Sequence, residues 1–190
     1  GDQRGGGGAA DREVPGGVGF SELSTIVRPA TTDDLASVSA IFAWYAANTV
    51  FTFEETGRAD PEWAQLLVHL EDLGLPFLVA VADGDIAGYA CASPWRGKPG
   101  YRHTVEDSVF VAPGMTGRGI GRLLLEALLT ACADSGARQV IAVIADTGDA
   151  ASTALHERLG FTLAGRLTAV GRKHSRWIDT VLYQRSLAAP

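Results

Sequence analysis

Three groups of residues in this chain of 190 have types and spacing suited to chemistry. The first is Gly117-Arg-Gly-Ile-Gly-Arg122, set between an apolar stretch and a long helical pattern. Its alternating glycines leave bare backbone N–H groups at the positive end of a helix dipole. With Arg118 and Arg122 beside them, those groups can cradle a phosphate or pyrophosphate. A tight turn that only needs glycine's freedom is the plainer alternative. The second is Glu106, within Thr104–Val111. A carboxylate there can take a proton from an amine, order an ammonium group, or be no more than a solvated strand residue. Asp107 has the opposite strand parity and is expected on the other face. The third is His156, whose imidazole can both accept and donate a proton, although a lone helical histidine is more often structural. His69, His103 and His174 lack comparable context. The loop Pro94-Trp-Arg-Gly-Lys-Pro-Gly-Tyr101 adds Arg96, Lys98 and two aromatics. In an acidic protein, that suits an anionic substrate group such as a carboxylate, or else a solvated basic loop.

The glycine run narrows its own ligand. A Walker loop needs G-x-x-x-x-G-K-[ST], and no Lys-Ser or Lys-Thr follows here. A dinucleotide fingerprint needs G-x-G-x-x-G, whereas this run is G-x-G-x-G. The antiparallel hairpin upstream also counts against a dinucleotide-binding oxidoreductase, which stays as an alternative.

The elements that position these groups follow from periodicity. Ile26-Val27-Arg28 reads as a strand ended by Pro29. Thr32 reads as an N-cap, with Asp33 and Asp34 in the first turn of a helix carrying Leu35, Val38, Ile41, Phe42 and Tyr45. Asp60 caps a second helix with Pro61 at its first position. Its apolar face is Leu66, Leu67, Leu70 and Leu73, and Gly74 ends it. Phe77–Ala82 and 86–93, joined by Asp83-Gly84-Asp85, form a hairpin. A strand covers Thr104–Val111 and stops before Pro113. A long helix with Ile120, Leu124, Leu128 and Ala131 on one face then runs to Gly136. Gln139–Ala145 is a continuous apolar strand of the kind covered on both faces. A helix over 150–159 and strands over 161–170 and 177–185 complete the chain.

Composition bounds the rest. Apolar residues make up 46% and charged residues 20%, so the chain is globular, neither disordered nor coiled coil. No apolar run approaches the ~20 residues of a membrane span. The formal charge of −6 argues against a nucleic-acid partner, whose phosphates call for a basic surface. Cys91 and Cys132 read as buried free thiols, no Cys/His spacing suggests a metal, and a cytoplasmic location is the default. Residues 1–24 hold eight of the 23 glycines and almost no large apolar side chains, so they read as a flexible tail ahead of one domain at 25–190.

Taken together, the motifs are similar to a known family. Val109-Phe-Val-Ala-Pro113 followed by Gly117-Arg-Gly-Ile-Gly-Arg122 resembles the acetyl-CoA segment of the GNAT superfamily of N-acetyltransferases. Tyr101-Arg-His-Thr-Val-Glu-Asp-Ser-Val-Phe-Val111, Ala142-Val-Ile144, Leu155-His-Glu-Arg-Leu-Gly-Phe161 and Arg176-Trp-Ile-Asp179 resemble its phosphinothricin and methionine sulfoximine acetyltransferases. The resemblance implies an α/β fold with a mixed sheet of about seven strands, antiparallel at first with a central parallel pair, and about four helices. It implies acetyl-CoA as co-substrate, a small amino acid as acceptor, and a homodimer. Glu106 matches the family's general base, and His156 its candidate acid toward the leaving thiolate. Val109, Phe110, Val111, Gly117, Arg118, Gly119, Ile120, Gly121, Arg122, Asp149 and Ser152 would hold the cofactor. Phe53, Arg96, Lys98 and Tyr101 would hold the acceptor. Two positions depart from the pattern: Thr116 replaces an Arg or Gln, and Asp149 an asparagine. These departures also leave room for a catalytically silent acyl-CoA sensor.

Overall fold

Successive strand residues point to opposite faces, and in the central strands over 77–82 and 85–94 both faces are buried, which gives one sheet with a helical layer on each side. The computed structural model describes residues 24–187, so the tail expected at 1–24 lies outside the described residues apart from Ser24. The strands are β1 (Thr25–Pro29), β2 (Phe77–Ala82), β3 (Asp85–Pro94), β4 (Thr104–Val111), β5 (Gln139–Ala145), β6 (Thr162–Lys173) and β7 (Arg176–Ser186). They lie in the order β1-β2-β3-β4-β5-β7-β6. Only β4 and β5 run parallel, and every other neighbouring pair is antiparallel.

Helices α1 (Leu35–Asn48) and α2 (Asp60–Asp72) cover one face. They pack Val38, Phe42, Trp63 and Leu70 against Phe77, Val79 and Tyr89. Helix α3 (Ile120–Asp134) covers the other face, its Leu124, Leu125 and Leu128 meeting Ala80, Ala90 and Ala92. Helix α4 (Ala151–Arg158) adds Leu155 at the edge of the same core.

Several local expectations shift. The first helical segment is capped at Thr31, not Thr32, because the Asp34 carboxylate reaches back to accept the Thr31 N–H at 2.8 Å. Likewise Ala59, not Asp60, precedes α2, and Glu62 accepts its N–H at 2.7 Å. In each case a carboxylate at the third position closes the turn and moves the boundary back by one. Leu73 lies exposed beyond the end of α2, and the buried ring on that helix is Trp63. On α3, Cys132 is buried as read, with Ala131 half-buried beside it. Strand β5 is not covered on both faces throughout, since Val143 is exposed.

Candidate active site

The strand pair β4–β5 holds together over only three positions, Thr104 to Glu106 against Gln139 to Ile141. Beyond Glu106, β4 keeps its partner β3 and β5 keeps β7, but the two no longer pair with each other. The sheet therefore opens at Glu106, and the backbone edge of β4 from Asp107 to Val111 faces the gap. That edge runs about 17 Å at ~3.4 Å per residue, long enough to align an extended chain. Val109, Phe110 and Val111 are half-buried along it. The Val111 carbonyl is already occupied by the Tyr45 hydroxyl, which donates to it at 2.8 Å.

The glycine run lies just past the open end. Gly117 and Gly119 have φ of 76° and 79°, a left-handed backbone that side chains disfavour, and a Cβ at either would meet nothing within 4 Å. The plainer reading holds, since the turn needs glycine, and the outer side of the turn is open. Ile120, Gly121 and Arg122 open α3, and no side chain caps the N–H groups of this end. Arg118 is exposed and makes no hydrogen bond or ion pair among the described residues, whereas Arg122 is engaged by Glu126 at 2.8 Å. Thr116 is exposed beside them. The Asp149 carboxylate accepts the Ala151 N–H at 2.9 Å, so it does at the start of α4 what an asparagine oxygen would do. Ser152 is half-buried, and its carbonyl is taken by His156.

Strand parity divides the candidate catalytic groups. Glu106 lies on the face of α1 and α2, as does Phe110, which stacks on Tyr89 at 5.4 Å. Half-buried, Glu106 has its pKa raised by desolvation and, secondarily, by the charge of Asp107. Ser93 on β3 pairs with it, and the connection from β3 to β4 carries Arg96, Lys98 and Tyr101, all exposed. The Arg96 guanidinium sits over the Trp95 ring, 5.2 Å from its centre. Phe53 lies in the segment between α1 and α2 on the same face as Glu106, its ring against Gly171.

Asp107 and His156 meet on the opposite face. His156 Nε2 is 2.9 Å from Asp107 Oδ2, and its Nδ1 is 2.7 Å from the Ser152 carbonyl. Both side chains are buried, and the imidazole packs edge-on against Phe161 at 4.9 Å. Two oxygens facing two ring nitrogens are satisfied together by an imidazolium with an ionised Asp107. Burial opposes that charge, but the Asp107 hydrogen bond and charge, with the Ser152 carbonyl, outweigh it and raise the His156 pKa. Glu106 and His156 thus flank β4 from opposite sides and are not brought together. Periodicity placed Asp107 on the far face but gave no sign of its partner. Tyr45 and Lys173 were also missed as contributors, because a tyrosine at a helical apolar position and a lysine in a strand carry no distinguishing signal.

A sheet that opens beside a half-buried carboxylate, with an open glycine turn and an uncapped helix N-terminus past the far end of the opening, can align an extended, phosphate-bearing co-substrate. The Acetyltransferase (GNAT) family matches residues 38–161, and the chain belongs to that family. A phosphinothricin N-acetyltransferase of Alcaligenes faecalis is 43% identical over 173 residues, 91% of this chain and 88% of that protein. An L-methionine sulfoximine/L-methionine sulfone acetyltransferase of Pseudomonas aeruginosa is 36% identical, over 87% of this chain and 96% of its own. A phosphinothricin acetyltransferase of Sinorhizobium meliloti, solved in complex with acetyl-CoA, superposes with a TM-score of 0.83. It is 41% identical over 86% of this chain and 89% of that one. The fold class and the acetyltransferase reading stand, and the oxidoreductase alternative falls.

Proposed function

We propose that this enzyme transfers the acetyl group of acetyl-CoA to the α-amino group of a small amino acid whose side chain ends in a tetrahedral oxo centre. Phosphinothricin, methionine sulfoximine and methionine sulfone are the candidate acceptors. The observation that carries the reading is Glu106, half-buried at the point where β4 and β5 part, between the anion cradle and the basic Arg96–Lys98 loop. The names of the relatives support the substrate class.

In this reading the Gly117–Arg122 run holds the pyrophosphate and the free edge of β4 aligns the pantetheine arm. Glu106 removes a proton from the acceptor ammonium. The amine nitrogen then bonds to the thioester carbon as the carbon–sulfur bond breaks, and the nitrogen's surplus proton passes to the departing sulfur, which leaves as the thiol of CoA. Arg96 and Lys98 pair with the acceptor's carboxylate or phosphinate, turning its nitrogen toward the carbonyl. His156, with both ring nitrogens engaged, is read as a positioning residue that ties α4 to β4, in place of the thiolate's acid. Cytoplasmic residence, with Cys91 and Cys132 as buried free thiols, belongs to the same reading.

Alanine at Arg96 or Lys98 tests it. Each variant is expected to raise the acceptor KM by about tenfold, the effect of one lost charged hydrogen bond, with the acetyl-CoA KM unchanged. An unchanged acceptor KM together with weakened acetyl-CoA binding would move both cations out of the acceptor site.

A further inference from the structure

We propose that Lys173 and Gly171, at the end of β6, are positioning residues that fix Phe53 and thereby set the size of the acceptor pocket. The proposal rests on the reading of Phe53 as a wall of that pocket.

Lys173 is only 2% exposed, and its ammonium faces no carboxylate within ion-pair distance among the described residues. A buried ammonium persists only where its donors are used. Here Nζ donates to the carbonyl of Thr52 at 2.8 Å and to that of Glu54 at 2.6 Å. Those are the two residues that flank Phe53. Gly171, two positions earlier and so on the same face of β6, meets the Phe53 ring itself. A Cβ built there would lie 2.3 Å from two ring atoms, so the ring fills the space a side chain would need. Backbone and ring of one residue are therefore held from one strand by two neighbours in register.

Apart from this clamp, the hydrogen bonds at Thr49 and Thr52 stay within a few residues of the segment. Phe51 adds a looser ring contact to Tyr45, at 6.2 Å. The strand side of the clamp also belongs to a register break, since β6 slips between Leu167 and Gly171 before pairing again at Ile178. An irregular strand end is thus coupled to a loop that reaches from α1, and both bear on one aromatic ring. The geometry of the pocket is set by residues that need not touch the acceptor.

Lys173→Met keeps length and loses both bonds. It should raise the acceptor KM about 10- to 100-fold, as loss of a charged donor does, with the acetyl-CoA KM unchanged. Lys173→Arg should recover part of the loss. In a Phe53→Ala background, Lys173→Met should have little further effect, because its route to the substrate is gone. Gly171→Ala, which displaces the ring without removing a charge, should change the preference among acceptors of different length. Hydrogen exchange at amides 50–57 reads the clamp without any substrate, and should accelerate in Lys173→Met while α1 stays protected. Unchanged exchange there, or a Lys173→Met penalty that persists in full without Phe53, would overturn the proposal. A wild-type enzyme that ignores amino-acid acceptors, with segment 50–57 still released by Lys173→Met, would instead overturn the substrate reading and leave the clamp standing.

Discussion

Glu106 and Asp107 are neighbours in sequence on opposite faces of β4, and parity alone separates them. On one face, desolvation lifts the Glu106 pKa and makes it a better proton acceptor near neutral pH. Glu106→Gln is expected to cut kcat by roughly 10²–10⁴-fold, with acetyl-CoA binding intact by calorimetry. A loss confined to the acceptor KM would make Glu106 a binding group. On the other face, His156 has a raised folded-state pKa. The stability it adds is therefore complete below the unfolded value of about 6.5 and is lost as pH rises through the folded value. Asp107→Asn should flatten this dependence and cost about 3–5 kcal/mol at the acid side, measured by melting curves from about pH 6 to about pH 9. A slope unchanged in the variant would contradict the pairing. That the two carboxylates take opposite sides of β4 was readable from the sequence. That His156 faces Asp107, 49 residues away, was not, because no local period records a tertiary contact.

Elements were legible where punctuation is unambiguous. Strand β4 begins and ends as read, stopping before Pro113, and β5 also matches residue for residue. Caps were legible less well, since the choice between Thr31 and Thr32 rests on where the Asp34 carboxylate reaches. The glycine run is where element and proposed function join. Gly119→Asp imposes a side chain on a backbone with φ of 79° and puts negative charge at the open end of α3. It should weaken acetyl-CoA by about tenfold or more, ~1.4 kcal/mol, in a variant whose melting temperature is otherwise retained. Unchanged affinity, measured by titration of the co-substrate, would remove the cradle from the account.

At the scale of the molecule, an acidic chain carries exposed cations in the segments on both sides of β4, Arg96 and Lys98 before it and Arg118 after it. The order of the last three strands was not legible, because inserting β7 between β5 and β6 depends on packing and not on local pattern. That arrangement leaves Val143, Leu163, Leu167, Val170 and Trp177 exposed on the closing strands. Apolar area of this kind is the reason to expect the homodimer that the family resemblance implies. Sedimentation should report two copies, and Trp177→Glu should shift the balance toward one; a wild type that stays monomeric at high concentration would contradict it. The most direct test of the whole account is release of free CoA from acetyl-CoA with a set of acceptors. Methionine sulfoximine, methionine sulfone or phosphinothricin should be acetylated on the α-nitrogen, far ahead of a peptide N-terminus or an aminoglycoside. An enzyme that ignores all three amino acids yet acetylates the peptide or the aminoglycoside efficiently would contradict it.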